Sequence, residues 1–306
     1  MMKKVGILRG GMGKENKDYH SSLKRGGEII SHLHEHLADK YKPVDIFLDQ
    51  EGAWHIAGVP SEPADLLHKV DLVWNSAHSS LSNVLNNFSI PNVGSSPFSA
   101  NLEGNRESLE KHLKKVGVAM PRHLILPAYN SNLDGPRERY SIRAAKKVFE
   151  KFGSPWLVRA LSPHAHMGVH LAMTFDELVG AIEDGVNHEQ SLLVEEFIVG
   201  RVSSVHSVAN FRDQDIYTFP PTDIFGKISG EEKEKLSELS RTLHQHIGAE
   251  HYSKCVYVVN KRGKIFLIHL DLSPNLTKNS SLHEVCERVG AKAHHVIEHI
   301  IDQAFY

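Results

Sequence analysis

The sequence predicts an α/β protein made of several compact units. Short apolar runs alternate with longer amphipathic stretches along all 306 residues, which is the pattern of buried strands connected by helices. The pair Gly10-Gly11 follows the first apolar run, as is typical of the tight turn between the first strand and the first helix of a doubly wound sheet. A chain of this length can form about two or three units with hydrophobic cores of their own.

The first unit, residues 1–95, is predicted to be a small doubly wound domain. Its apolar runs are each short enough to form one strand, and an amphipathic stretch follows the first of them. The expected strands are 5–8, 44–48, 71–75 and 90–94, and the expected helix is 19–40.

The rest of the chain is predicted to form two α+β units, 96–190 and 191–306. The polar stretch 130–139 is expected to be a mobile surface loop, and 260–263 the turn of a hairpin. In the first of these units, helices are expected at 105–116, 141–152 and 174–185, strands at 123–126 and 156–159, and a loop at 164–170. In the second, strands are expected at 192–197, 202–210, 216–219, 255–259 and 265–270, with a helix at 231–247 and two further helices at the end.

Composition excludes several classes of protein. The formal net charge of -2 gives no electrostatic reason to bind nucleic acid or an anionic membrane. No apolar run approaches the ~20 residues of a membrane span, and the start of the chain does not resemble a signal peptide. Cys255 and Cys286 fall in an expected strand and helix rather than in a disulfide framework. We therefore expect a cytoplasmic protein.

Histidine is unusually frequent, with 22 residues. His32 and His36 lie one helical turn apart, and the motif His295-x-x-Glu298-His299 resembles an inverted zinc-protease signature. A third zinc ligand is not evident in the sequence, so an amphipathic, histidine-rich terminal helix is the favoured interpretation.

The most informative segment is 264–277, an apolar run that ends in the turn Ser273-Pro-Asn275. His269 and Asp271 are two residues apart on the expected strand and therefore point to the same side. Both side chains could contact one ligand.

This segment resembles the strand Glu-x-Asn-x-Ser-Pro-Gly, which holds the magnesium ions in the D-alanine–D-alanine ligase family, and further motifs extend the resemblance over essentially the whole chain. The resemblance implies an ATP-grasp architecture with nucleotide between the central and C-terminal units. It also implies a reaction in which ATP converts a D-amino acid carboxylate into an acyl phosphate that an amine then attacks, as in making a peptidoglycan precursor. The implied cofactors are ATP and Mg²⁺, and the implied assembly is a homodimer.

Two motifs of the first unit carry candidate catalytic residues. Gly10-Gly-Met-Gly-Lys-Glu15 resembles Gly-Gly-x-Ser-x-Glu, whose glutamate helps to hold the ammonium group of the first substrate. Val73-Trp-Asn-Ser-Ala-His78 resembles Val-Phe-Asn-x-x-His-Gly, whose histidine lies near the substrate carboxylate and phosphate. The Gly-Glu-Asp-Gly that follows in the family is missing here. The alternative roles are a carboxylate at a helix start for Glu15 and a helix cap for His78.

The predicted phosphate contacts depart from the family pattern. Arg106 and Arg159 stand where the family has two lysines, and a guanidinium needs more room than an ammonium group. His164-Ala-His-Met-Gly168 stands where a Gly-Ser-Ser-x-Gly loop closes over the triphosphate, and His166 could still donate a hydrogen bond there. The alternative for both arginines is an ordinary cation at the surface or core edge.

Adenine binding is predicted for Leu193-Val-Glu195-Glu196-Phe197-Ile198, which resembles the hinge strand Leu-Ile-Glu-Lys-Trp-Leu. The glutamate that binds ribose in the family falls on Val202, so that contact is absent. The long loop that seals the family's active site is also expected to be absent, because Phe225 is followed almost directly by the helix at 231.

The metal site departs furthest from the pattern. The family's Arg-x-Asp falls on Lys254-Cys-Val256, which makes Lys254 a candidate catalytic residue and removes one carboxylate. The family's Glu-x-Asn falls on His269 and Asp271, the candidate metal ligands. Mg²⁺ prefers oxygen ligands, so Asp271 could keep one ion alone, or the pair could prefer Mn²⁺ or zinc.

Three functional hypotheses remain open. The chain is an active carboxylate–amine ligase with shifted preferences, a catalytically degenerate homologue that binds nucleotide or a protein partner, or a metal-binding protein that uses His164, His166 and His269. ADP release with D-alanine would support the first, and ATP binding without turnover the second. A zinc-dependent rise in melting temperature would support the third.

Overall fold

The computed structural model describes residues 2–11, 17–78, 80–161, 167–276 and 280–305. It divides the chain into two compact units. The first consists of residues 1–119, 201–259 and 267–306, and the second of residues 120–200 and 260–266. Helices and strands alternate in both, which confirms the predicted α/β class. None of the described helices is both long and apolar enough to cross a membrane.

A six-stranded sheet in the order β4-β3-β2-β1-β5-β6 begins the first unit. β1 runs parallel to β2 and β5, and β5 parallel to β6, so this part has the predicted doubly wound character. A Cβ on Gly10, where φ is +97°, would lie 2.1 Å from the Leu48 carbonyl oxygen, so the turn after β1 requires glycine. The strands are β1 Lys3–Gly10, β2 Tyr41–Leu48, β3 Trp54–Ile56, β4 Val59–Ser61, β5 Leu72–Asn75 and β6 Asn92–Val93. The helices in this stretch of the chain are α1 Lys17–His36, α2 Leu81–Asn87, α3 Pro97–Gly104 and α4 Arg106–Lys115, with a short 3₁₀ helix at Pro63–His68.

A five-stranded sheet completes the first unit, with β12-β11-β14-β15 in order and β13 also paired to β11. Only residues 226–229 connect β13 to α8, which agrees with the expected absence of a long loop there. The strands are β11 Gly200–Ala209, β12 Ile216–Thr218, β13 Thr222–Phe225, β14 Tyr252–Asn260 and β15 Ile265–Asp271. The helices are α8 Gly230–His246, α9 Ser281–Arg288 and α10 Ala293–Gln303. One core joins both ends of the chain, since Val5 and Leu33 pack in the same cluster as Val285 and Ile297.

The second unit is an antiparallel sheet, β7-β10-β8-β9, with two helices on one face. Trp156, Val158 and Val194 point to the helices and form the core with them. The strands are β7 His123–Leu126, β8 Trp156–Ala160, β9 His170–Ala172 and β10 Leu192–Glu196, and the helices are α5 Ser131–Asp134, α6 Arg137–Lys151 and α7 Phe175–Asn187.

The predicted loop at 130–139 is wrong. Ser131–Asp134 forms the short helix α5, and α6 begins at Arg137 rather than at 141. The Asn130 side chain accepts a hydrogen bond from the Asn132 amide and so caps α5. The residues of α5 and of the first turn of α6 are mostly polar, which is why this stretch of sequence resembles a loop.

Candidate functional site

The candidate residues fall into two groups, one in each unit, and each group is described by itself. Glu15, His164 and His166 lie outside the described residues.

In the second unit, Arg159 and Glu195 lie on the sheet face opposite the helices. β8 and β10 pair Arg159 with Leu193 and Leu157 with Glu195, so all four side chains share that face. Arg159 Nε lies 3.5 Å from Glu195 Oε2. The Glu195 side chain is only 7% exposed and that of Arg159 34%, so the guanidinium neutralises a carboxylate that has largely lost its water.

Glu196, one residue further along β10, forms a separate ion pair. The Arg122 guanidinium donates to both carboxylate oxygens at 2.9 and 3.0 Å. These hydrogen bonds hold the pKa of Glu196 below its usual value. The next residue, Phe197, has an exposed side chain, and its N–H donates to the Pro155 carbonyl at 2.9 Å. That amide is therefore not free to bind an adenine ring.

In the first unit, Arg106 lies beside the strand that carries the candidate metal ligands. Arg106 is the first residue of α4, and Asn105 caps the helix by accepting from the Ser108 amide. Its Nη1 donates to the Ile268 carbonyl of β15 at 3.2 Å. The structure thus places a predicted phosphate contact next to His269, although 162 residues separate Arg106 from Ile268.

The candidate metal ligands form a weak site for magnesium. His269 and Asp271 occupy alternate positions on β15, and Asp271 Oδ1 already accepts from the Ser273 amide at 3.0 Å. Within the described ranges, no group of three or more His, Cys, Asp or Glu side chains is arranged to hold a metal ion. One carboxylate and one imidazole do not fit an ion that requires several oxygen ligands in octahedral geometry.

His78 is engaged locally. Its Nδ1 accepts from the Ser80 amide at 3.3 Å and lies 2.8 Å from the Ser80 hydroxyl, just before α2 begins. The Asn75 side chain donates to the His78 carbonyl. The His78 imidazole thus bonds to Ser80, the residue before α2, and the Ser80 side chain makes no capping bond to that helix.

A polar network around Lys254 was not predicted from the sequence. Lys254 Nζ donates to Ser281 Oγ at 3.1 Å, and Ser281 Oγ lies 3.1 Å from His206 Nε2. His206 Nδ1 lies 2.7 Å from the hydroxyl of Tyr252. A histidine between Val205 and Val208 in an apolar strand was the available signal, because a buried histidine requires hydrogen-bond partners.

A small cavity is lined in part by Tyr252. Its lining includes Trp74 and Asn75 at the end of β5, His251 and Tyr252 at the start of β14, and Ser273 after β15. Its volume is about 20 Å³, which is room for about one water molecule. The carboxyl end of β5 is where ligands bind in doubly wound sheets, so this cavity extends the candidate site of the first unit.

Comparison with known proteins gives a consistent result. A family model described as the D-ala D-ala ligase C-terminus matches residues 113–302. The D-alanine–D-alanine ligase of Oceanobacillus iheyensis is 22% identical over 99% of this chain and 95% of its own length. The corresponding protein of Geobacter sulfurreducens is 23% identical over 98% of this chain and 94% of its own length.

Solved structures show the same fold. D-alanyl-alanine synthetase A from Vibrio cholerae superposes with a TM-score of 0.77 at 16% identity, covering 99% of this chain and 98% of that chain. The VanG D-Ala:D-Ser ligase from Enterococcus faecalis gives 0.76 at 17% identity, covering 99% and 100%. The D-alanine–D-alanine ligase from Bacillus anthracis complexed with ATP gives 0.72 at 18% identity, covering 99% and 96%. The predicted ATP-grasp architecture is confirmed.

Proposed function

This chain belongs to the D-alanine–D-alanine ligase family, and from that premise we propose that it binds nucleotide and a small carboxylate but catalyses Mg-ATP-dependent ligation poorly. The carboxylate is a D-amino acid by analogy with the relatives, whose names specify D-alanine. By the same analogy, we propose a cytoplasmic homodimer.

The observation that carries the proposal is the composition of β14 and β15. Val256, His269 and Asp271 occupy the positions that the family motif gives to metal-binding residues, so a single carboxylate remains. In phosphoryl transfer, bound cations neutralise charge that develops in the transition state. Losing such a contact costs several kcal/mol of transition-state stabilisation, whereas ground-state binding depends on it less.

Nucleotide binding is supported within the second unit. The sheet face opposite the helices carries Arg159 and Glu195 together with Leu157 and Leu193. Leu193 and Glu195 are buried there, and Arg159 is partly exposed. One partly exposed guanidinium beside apolar side chains suits a phosphate next to an adenine ring. The residues present therefore fit ATP better than they fit Mg²⁺.

Calorimetric titration of ATP into metal-stripped protein, with and without Mg²⁺, tests this proposal. We expect binding in both conditions, with affinities that differ by less than about tenfold, because few oxygen ligands remain to couple the ion to the nucleotide. Binding that requires Mg²⁺ would contradict the proposal and favour an active ligase. A zinc titration of the same sample tests the metal-binding alternative, for which we expect no saturable heat.

A further inference from the structure

His206 lies at the centre of the network that joins Tyr252, Ser281 and Lys254. Its side chain is on β11, and only 1% of the residue is exposed. The Nδ1 atom is 2.7 Å from the Tyr252 hydroxyl, and the Nε2 atom is 3.1 Å from Ser281 Oγ. Both ring nitrogens therefore have partners, and both partners are hydroxyl groups whose hydrogen can point in more than one direction.

The imidazole is neutral at physiological pH. Burial, with a smaller contribution from the nearby charge of Lys254, lowers the pKa of His206 to about 3. A neutral imidazole has one N–H group and one nitrogen with a free lone pair, so it donates to one of the two hydroxyls and accepts from the other.

The Tyr252 hydroxyl determines which nitrogen carries the proton. Burial raises the pKa of Tyr252 well above its ordinary value, so the hydroxyl keeps its hydrogen. In the part of the chain that the structure describes, the only hydrogen-bond partner of this hydroxyl is His206 Nδ1. A buried hydroxyl hydrogen without an acceptor is unfavourable, so Tyr252 donates to Nδ1. The proton of His206 must then be on Nε2, and His206 donates to Ser281.

Ser281 Oγ accordingly receives two hydrogen bonds. One comes from Lys254 Nζ at 3.1 Å and the other from His206 Nε2. A hydroxyl oxygen has two acceptor positions, and both are occupied. Ser281 is half-buried rather than enclosed, so its hydrogen can reach a ligand.

We propose that His206 is a positioning residue that makes the Ser281 hydroxyl an obligatory hydrogen-bond donor to an anionic oxygen of the ligand. The inference rests on the proposed function, because it assigns the carboxylate of the small substrate, or a phosphate oxygen, to this hydroxyl. An ammonium or amide N–H would find no acceptor at Ser281. The site therefore selects an anionic oxygen in two ways: Ser281 can only donate a hydrogen bond, and Lys254 carries a positive charge.

The tautomer of His206 tests the proposal without any ligand. Long-range ¹H–¹⁵N correlation spectra distinguish Nδ1–H, Nε2–H and doubly protonated imidazoles. We expect a neutral His206 with its proton on Nε2 between about pH 5 and pH 8, as its low pKa requires. Tyr252→Phe should mix the two tautomers, since the group that fixes Nδ1 as an acceptor is gone. A proton on Nδ1 in the unmodified protein would overturn the proposal.

Two substitutions at His206 separate positioning from packing. Gln can place an N–H close to the position of His206 Nε2, whereas Leu cannot donate. Both variants are titrated with D-alanine and, separately, with inorganic phosphate. For one of these anions, His206→Leu should weaken binding at least about tenfold, whereas His206→Gln should weaken it less than about threefold. The probe that responds identifies the anion as carboxylate or phosphate.

His244→Leu is the matched control. His244 is as deeply buried in the same unit and bonds to the Ser253 hydroxyl at 2.8 Å, on the opposite side of β14 from Lys254. It should leave anion binding unchanged. Equal losses for His206→Leu and His244→Leu would reduce the role of His206 to packing and overturn the proposal. If neither probe binds the unmodified protein, the proposed function fails, and the tautomer measurement still decides the inference.

Discussion

At the scale of single residues, the candidate site differs from a list of motif positions because several of its residues bind one another. Arg159 and Glu195 were each predicted to contact nucleotide, and the structure pairs them across β8 and β10. Glu196 is paired with Arg122, and Lys254 with Ser281. A ligand that binds these groups must either bind while these contacts are kept or replace one partner of each contact.

The pair Arg159–Glu195 has a measurable effect on stability. Arg159→Met removes the guanidinium that lies beside the buried Glu195 carboxylate. This should lower the free energy of unfolding by about 1–3 kcal/mol, less than for a fully buried pair because Arg159 is partly exposed. Glu195→Gln in the same chain should recover most of that loss. Urea denaturation of the single and double variants measures both effects.

Arg122→Met is the control for that cycle, since its partner Glu196 is the next residue on the same strand. This pair is more exposed, with Arg122 at 57%, so the expected loss is below about 1 kcal/mol. If Arg159→Met and Arg122→Met lowered the free energy of unfolding equally, burial of Glu195 would not determine the size of the loss.

At the scale of elements, β14 and β15 determine how well the site can use a metal. The substitutions Val256→Asp on β14 and His269→Glu on β15 add two carboxylates. Together with Asp271, the two strands then carry three acidic side chains at the motif positions. We expect magnesium-dependent ADP release to rise by at least about tenfold, because each recovered oxygen ligand stabilises charge in the transition state. A coupled ADP assay measures the change.

The exposed His34 on α1 provides a control for the His269→Glu substitution of that pair, because the same residue type is exchanged for glutamate. His34→Glu adds a carboxylate at a position on α1 that is not a candidate metal ligand and should not alter ADP release. A double variant that binds Mg²⁺ no better than the unmodified chain would show that the metal site was lost for reasons other than these two residues.

The elements also show what the sequence predicts and where it fails. Strand β7 was predicted with its observed bounds. Its short, mainly apolar run stands between two segments with clear helical periodicity. The hairpin β3–β4 was missed because each strand has three residues, too few to show alternation, and its turn uses positive φ at Ala57 and Gly58. Pairings such as His206 with Ser281 join residues 75 positions apart, and no local pattern encodes them.

At the scale of the whole molecule, the fold is retained although several motif positions carry residues that differ from the family pattern. A relative at 22% identity matches 99% of this chain, and solved structures at 16–18% identity share its fold. Core packing tolerates exchange of apolar residues of similar volume, whereas a metal site requires particular atoms at particular places. Fold and family could therefore be predicted from motifs, but catalytic competence could not.

The buried histidines make the molecule sensitive to acid. Burial lowers the pKa of His244 to about 4 and that of His206 to about 3, whereas an unfolded chain binds the proton near pH 6.5. Below about pH 6.5 the unfolded state therefore binds more protons than the folded state, and the free energy of unfolding falls until about pH 4 to 3. Urea midpoints between pH 7.5 and 4.5 should decrease steadily, and His206→Gln should make the decrease shallower. Midpoints that stay constant over this range would contradict the assignment.

The most direct test of the central claim is ADP release by the purified protein in saturating ATP, Mg²⁺ and D-alanine, with nucleotide occupancy measured in the same sample. We expect the nucleotide site to be occupied while turnover stays at least about 100-fold below 1 s⁻¹, the lower end of the roughly 1–10³ s⁻¹ of typical enzymes. Turnover within that typical range, dependent on both Mg²⁺ and D-alanine, would contradict the account and show an active ligase.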